Sequence, residues 1–348
     1  MNRYQRQIVL PQIGESGQKK LANARVLVIG AGGLGCSLLP YLAASGIGKI
    51  GIVDGDKIEE SNLHRQILYT PESIGDFKVN AAKVFLNKQQ PDAQITSYPE
   101  YLNGSNALTV FKDYDILVDA TDRIAVRYLI SDAAVLTGKP VVYGSIHRFE
   151  GQVSVFNYKN GPTYRCLFPK ATEAPSCAEA GVLGSSVGFV GMLQAQEVMK
   201  MILGIGDVLS GELLIYNTLT ASQQKFQFKK NETIAITNSF YQKAHLKSEI
   251  KTESFHRGML KSGVFIDVRE LNEQPRLDIQ NLKEIPLSQL EKQLKNLDKT
   301  SYYYLFCQSG KRAQLAAEQL KNLGIINSFA IKEGAEQLKK NEQNVVSK

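Results

Sequence analysis

Cysteine is scarce in this chain. Four residues in 348, Cys36, Cys166, Cys177 and Cys307, are too few and too scattered for a disulfide framework. That scarcity leaves a reducing cytoplasm as the expected setting, where a cysteine is either buried filler or chemistry. Long hydrophobic runs are missing too: nothing approaches the ~18–20 apolar residues that cross a bilayer. The opening residues, MNRYQRQIVLPQ, hold no apolar core or cleavage site of secretory type, so a cytoplasmic protein away from the membrane is expected. Nor is there a dominant charge. A net charge of +7, with the lysines spread along the chain, does not argue for nucleic acid. Short-period repeats and low-complexity segments are absent. What remains, 43% apolar and 22% charged residues, is ordinary for a soluble globular protein, and 348 residues suit two domains.

The chain is organised around Arg25–Asp56. Val26–Ile29 is an apolar run of strand type, followed directly by Gly30-Ala31-Gly32-Gly33-Leu34-Gly35. Leu38, Leu39, Leu42 and Ala43 then recur at helical spacing, and Lys49–Val53 is a second buried strand that ends in Asp54. Such a strand–turn–helix–strand unit lets the backbone approach a phosphate, offers free N–H groups at the helix start, and places an acid where ribose hydroxyls can donate to it. It predicts a nucleotide without saying which one.

Further strands are expected at Ile95–Tyr98, Asp115–Val118 and Pro140–Tyr143, with helices at Phe77–Leu86, Ala107–Phe111, Ile124–Leu136 and Val187–Leu203. This alternation indicates a mostly parallel, Rossmann-like α/β sheet. Gly151–Tyr158 and Gly211–Phe228 alternate in polarity and should add antiparallel strands. Asn160–Ser186 reads as a long mobile loop. The pattern fades at 231–251, a linker between a first domain at 1–230 and a smaller α/β domain at 252–345. There Val264–Val268, Tyr302–Phe306 and Ser328–Ile331 read as strands, and Leu287–Leu297 and Ala313–Leu323 as helices.

Hydride transfer needs an apolar slot and one acid or base. Here the strand tips and loops instead carry Asn62, Arg65, Lys78 and Asp122. In open α/β sheets such tips face the ligand crevice. Cations there would neutralise a triphosphate, and Asp122 supplies the oxygen ligand that Mg²⁺ prefers.

At this point the chain resembles the ubiquitin-activating-enzyme-like adenylyltransferases of the MoeB/ThiF family. The resemblance is carried by RYQRQ (Arg3–Gln7), GAGGLG (Gly30–Gly35), DGDKIEESNLHRQ (Asp54–Gln66), the helix start at Lys78, DATDRIAVR (Asp119–Arg127), YRCLFP (Tyr164–Pro169) and CAEAGVLG (Cys177–Gly184). It implies a homodimer that binds ATP and Mg²⁺ and adenylates the C-terminal glycine of a ubiquitin-like sulfur carrier of MoaD or ThiS type. Position by position, it implies that Gly33 backs the phosphates and that Asp54 takes the ribose. The loop Ser61, Asn62, Leu63, His64 and Arg65, together with Lys78, would hold the nucleotide. Asp122 would bind Mg²⁺ with Arg123 beside it, and Arg6 would reach into the partner subunit's site.

The second half resembles a rhodanese sulfurtransferase domain, with Asp267-Val268-Arg269 on its early strand and Cys307-Gln308-Ser309-Gly310-Lys311-Arg312 as its active loop. A cysteine at a strand end, cradled by loop N–H groups and flanked by cations, is built to carry a persulfide as an anion. A cysteine desulfurase or another sulfur donor would load it, and the product would be a carrier thiocarboxylate. The fused domain favours molybdopterin synthesis over thiamine (thiazole) synthesis.

Three departures stand out. Relatives bind zinc through two CxxC pairs, but Thr163-Tyr164-Arg165-Cys166 keeps one cysteine and Lys229–Ile236 has none, so no zinc is expected. Arg123 replaces the usual Asn after the acid. Glu333-Gly334-Ala335 lacks the usual aromatic. Cys177 reads equally as a covalent carrier-holding cysteine and as a non-essential thiol. A non-catalytic dimeric scaffold that keeps the fold is the competing function, and a nicotinamide oxidoreductase would rest on the glycine motif alone.

Overall fold

The computed structural model describes residues 3–170, 181–246, 252–256, 258–259, 263–293, 297–322 and 324–346. The chain divides into two compact units, Met1–Leu246 and Lys247–Lys348.

The first unit is built on an eight-stranded sheet of order β3-β2-β1-β4-β5-β6-β7-β8. β1 (Arg25–Ile29), β2 (Lys49–Val53), β3 (Gln94–Tyr98), β4 (Ile116–Asp119) and β5 (Val141–His147) are parallel. β6 (Glu150–Phe156), β7 (Glu212–Asn217) and β8 (Ser222–Gln227) continue antiparallel. The mixed α/β sheet expected from the residue pattern is thus present. The chain builds outward from β1 through β2 to β3, then returns to place β4 on the other side of β1. This reversal opens a crevice between β1 and β4, the usual ligand position in such sheets.

Register decides what meets there. Ile29 pairs with Val53 on one side and with Asp119 on the other, so Gly30, Asp54 and Ala120 follow in one row. The core lies on both faces of the sheet. Val26, Val28, Ile50 and Ile52 face the helices Gly33–Ala44 and Gly184–Leu203, while Leu27, Ile29 and Leu117 face the helix Ile124–Thr137. Among the described residues no helix is long and apolar enough to cross a membrane.

Several elements escaped the sequence pattern. Helices form at Gln5–Ile8 and Gly14–Asn23 in the N-terminal segment. Within 231–251 lies the helix Asn238–His245, capped by the Thr237 hydroxyl, which accepts from Phe240 N at 3.1 Å. Its Tyr241 is buried and donates to the Gly104 carbonyl at 2.9 Å.

The second unit is a five-stranded parallel sheet of order β11-β10-β12-β13-β9. Its strands are β9 (Thr252–Glu253), β10 (Val264–Asp267), β11 (Leu282–Glu284), β12 (Tyr303–Phe306) and β13 (Ser328–Ile331). The helices Leu287–Gln293, Lys311–Asn322 and Ala335–Val346 accompany it.

Candidate active site

The glycine turn after β1 is shaped by close backbone approach. Gly30 has φ +105°, and a Cβ there would lie 2.6 Å from the Ala120 carbonyl oxygen. A Cβ on Gly35 would lie 2.2 Å from the Gly30 oxygen, so the helix could not start so near the turn. Gly33 is needed for packing, since a Cβ there would meet Val187 at 2.6 Å. Asp54 ties the turn down: one carboxylate oxygen accepts from Ala31 N at 2.7 Å and the other from Asp56 N at 2.8 Å. Burial pushes its carboxyl upward, against the pull of those two N–H groups.

A cavity of about 340 Å³ opens over this turn. Gly33, Asp54, Asn62, Arg65, Lys78, Asp122 and Arg123 all line it, although they come from five separate segments of the chain. Lys78 begins the helix Lys78–Gln89 and is buried, with Nζ 3.2 Å from Asp56 Oδ2. Tyr101 donates to the other Asp56 oxygen, and the Arg123 guanidinium lies over the Tyr101 ring at 4.6 Å. Burial works to raise the Asp56 carboxyl, but the Tyr101 hydroxyl and the Lys78 ammonium outweigh it and hold the group below its ordinary value. Arg65 donates to the Ser61 carbonyl at 3.0 Å and lies 2.7 Å from His64 Nε2. Ser61, Leu63 and His64 therefore shape the loop, and none of them lines the cavity. Asp122 is exposed on the rim.

Two expected residues stand apart. Arg6, on the helix Gln5–Ile8, is exposed and does not line this cavity. Cys177 lies outside the described residues. Asp56, Tyr101 and Gln66 line the cavity without having been assigned a role from sequence, and Arg127, the last residue of the Asp119–Arg127 motif, lines it with them. Asp56 could have been picked from its place in the Asp54–Gln66 motif, but an isolated tyrosine after β3 carries no signal at all.

Cys36 is inert filler, its thiol pushed up to about 12 by burial. At the segments that would carry zinc cysteines, Cys166 Sγ instead accepts N–H groups from Thr163 and Asn231, both at 3.4 Å. Beside it, the buried Asp132 receives Arg165 through two bonds of 2.7 and 2.8 Å, and lies 2.6 Å from His245 Nε2. This cluster joins three helices, Ile124–Thr137, Tyr164–Leu167 and Asn238–His245. Among the described residues, no group of three or more His, Cys, Asp or Glu is gathered for a metal ion.

In the second unit Cys307 follows β12 and is 1% exposed, packed among Ile266, Leu305 and Ala313. Gly310, with φ +83°, turns the loop into the helix Lys311–Asn322. The buried Arg269 grips Asp267 at 2.7 and 2.9 Å and donates to the Gln308 side chain of the loop at 3.1 Å. Arg312 forks onto Glu273 at 2.5 and 2.7 Å.

That fork holds the Glu273 carboxyl down at about 2, below the ordinary 4.5. A carboxylate depressed in the folded state contributes stability that is full above its unfolded value and lost as pH falls through its folded one. The second unit is therefore expected to loosen between pH 4.5 and about 2. Hydrogen exchange of peptides from Lys247–Lys348 measures this, and Glu273→Gln should remove the part of the acid dependence that the pair supplies.

The ThiF family model matches residues 4–235, and the rhodanese-like domain model matches 244–341. The sulfur carrier protein adenylyltransferase of Thermus thermophilus is 48% identical over 239 residues, covering 66% of this chain and 88% of that protein. The probable adenylyltransferase/sulfurtransferase MoeZ of Mycobacterium tuberculosis is 38% identical over 359 residues, covering 95% and 91%. The adenylyltransferase and sulfurtransferase MOCS3 of Drosophila sechellia is 35% identical over 355 residues, covering 92% and 78%. The crystal structure of Escherichia coli MccB with ATP aligns with a TM-score of 0.60 at 21% identity, covering 68% of this chain and 74% of that one, and shows a shared fold.

Proposed function

Because this chain belongs to the ThiF family and carries a rhodanese-like domain behind it, we propose that it activates a ubiquitin-like sulfur carrier with ATP and then sulfurates it. The observation that carries this reading is the single cavity where the glycine turn, Asp54, Asn62, Arg65, Lys78 and Asp122 meet. In this reading, Asp54 receives the ribose hydroxyls, and the helix start at Gly33 faces the phosphates. Lys78 and Arg65 offset the charge that develops at the α-phosphorus as the carrier's terminal carboxylate attacks and pyrophosphate leaves. Positioning and charge neutralisation supply most of the catalysis of such a displacement, and no strong base is needed. Asp122, an exposed acid on the cavity rim, would hold Mg²⁺, which when bound shares in neutralising the phosphates.

The product is a carrier acyl-adenylate. A persulfide on Cys307 attacks its acyl carbon through the terminal sulfur and expels AMP, leaving an acyl disulfide. A thiol of an external dithiol reductant then attacks the Cys307 sulfur, forming a mixed disulfide with it and releasing the carrier thiocarboxylate, and the reductant's second thiol resolves that disulfide to return Cys307 as a thiol. The division of labour follows the domains, adenylation in 1–230 and sulfur transfer in 252–345. The chain works as a homodimer in which Arg6 serves the partner subunit's site, and a cysteine desulfurase or other persulfide donor loads Cys307. Molybdopterin synthesis is the favoured pathway, in keeping with the name of one relative, the probable molybdopterin-synthase adenylyltransferase of Gracilaria tenuistipitata, 40% identical over 293 residues.

Intact-mass analysis of candidate carriers after incubation with the protein, MgATP and a persulfide donor tests the whole sequence. A sulfur-for-oxygen exchange on one carrier is the expected result. No change on any carrier, together with no carrier-dependent pyrophosphate exchange, would hand the chain to the scaffold reading.

A further inference from the structure

Arg127 holds an unusual position for a cation. It stands on the helix Ile124–Thr137, one turn beyond Asp122, lines the cavity, and is only 9% exposed. Its guanidinium donates from Nη2 to the Thr121 carbonyl at 2.9 Å and lies over the Tyr143 ring at 5.3 Å. Nε is buried with no hydrogen-bond partner. Among the described residues, no carboxylate hydrogen-bonds any nitrogen of this side chain. Asp119 lies near enough to act on Arg127 through its charge, but its hydrogen bonds go to Thr121, from N at 3.0 Å and from Oγ1 at 2.8 Å.

The other buried arginine among the described residues, Arg269, is forked onto a carboxylate. Leaving a buried cation without such a partner is costly unless an anion arrives to complete it. The position of Arg127 says which anion. The ribose and phosphate groups assigned above, Asp54 and Lys78, belong to the β1–β2 side of the crevice, whereas Arg127 leans on Tyr143 of β5, across β1 and β4. At ~4.8 Å between neighbouring strands, that is the far wall of the site. A guanidinium edge there matches a planar carboxylate through two parallel bonds.

We propose that Arg127 is the residue that seats the acceptor carboxylate, binding the terminal glycine of the incoming carrier and aiming it at the α-phosphorus. The inference rests on the activation reading above and adds the group that recognises the second substrate.

Steady-state pyrophosphate exchange with the carrier protein that supports it in the wild type tests this, with Arg127→Gln and Arg127→Lys compared at varied carrier and varied ATP. Loss of a charge-assisted pair should raise the KM for carrier by about 10- to 100-fold and leave the KM for ATP within about two-fold. KM does not depend on the folded fraction, so partial misfolding of a variant cannot imitate the result. If Arg127→Gln fails to fold, Arg127→Lys keeps the charge without the fork and should still raise the carrier KM. Binding supplies the second readout. The same carrier ending in a carboxamide should bind wild type and variant equally, whereas the carboxylate form should bind the wild type more tightly. A rise in the KM for ATP with the carrier KM unmoved, or equal discrimination between carboxylate and carboxamide in all forms, overturns the assignment. Absence of exchange in the wild type overturns the activation reading, and this inference with it.

Discussion

Cys307→Ser is expected to abolish thiocarboxylate formation, on the order of 10³-fold or more, while carrier-dependent pyrophosphate exchange continues at the wild-type rate. Serine nearly matches cysteine in volume, and position 307 sits at 1% exposure among Ile266, Leu305 and Ala313, so the fold should tolerate the change. The hydroxyl, however, cannot carry a sulfane sulfur. The 247–348 unit has no second cysteine to take over. The split between the two half-reactions is the informative part, because adenylation and sulfur transfer are assigned to different units. Intact mass should show adenylate, or its hydrolysis to AMP and free carrier, with no sulfur gained. Sulfuration persisting in this variant would move the role to Cys177. A parallel loss of exchange would show that the two activities are not separable.

Lys78→Met should lower kcat/KM for adenylation by about 10²- to 10³-fold, the usual cost of removing one preorganised charge from a developing oxyanion. Lys78 is the most enclosed cation on the phosphate side of the cavity, its side chain 7% exposed and its Nζ 3.2 Å from Asp56. Methionine keeps the length and most of the packing. Loss of the ammonium strands the Asp56 carboxylate with the Tyr101 hydroxyl as its remaining side-chain donor among the described residues. Because Asp56 is 42% exposed on its side chain, solvent screens much of that penalty, and about 1 kcal/mol of stability is expected to go. A second variant separates the two effects. Adding Asp56→Asn removes the stranded charge, so the double variant should regain stability without regaining activity. Recovery of activity in the double variant would mean that Lys78 serves only to neutralise Asp56.

How much of this was legible without coordinates differs by element. β1, the glycine turn, its helix and β2 announce themselves, because a short apolar run, a GxGxxG turn and helical periodicity are all local patterns. Ser328–Ile331 was bounded as the structure has it for the same reason. The helix Asn238–His245 was not, since it buries only Tyr241. Its stabilising contacts, Gly104 and Asp132, lie more than a hundred residues away in sequence, and local periodicity cannot register them. The two-residue β9 exists by pairing with β13 at a sheet edge and has no pattern of its own.

The candidate site divides in the same way. By itself, the sequence determined which residue types stand at the strand tips, since strand length and side-chain chemistry are local properties. It therefore marked Asp54, Arg65, Lys78, Asp122 and Cys307. Only the tertiary structure decided which of the charges are spent and which are free. Arg312, read as a cation beside Cys307, is forked onto Glu273, and Arg165 is consumed by Asp132. Arg127, marked by sequence only as the end of the Asp119–Arg127 motif, is buried with the charge of Asp119 nearby but, among the described residues, no carboxylate hydrogen-bonded to it. The physical reason is that an ion pair depends on distances of a few ångströms between side chains set by folding, and no spacing along the chain encodes them.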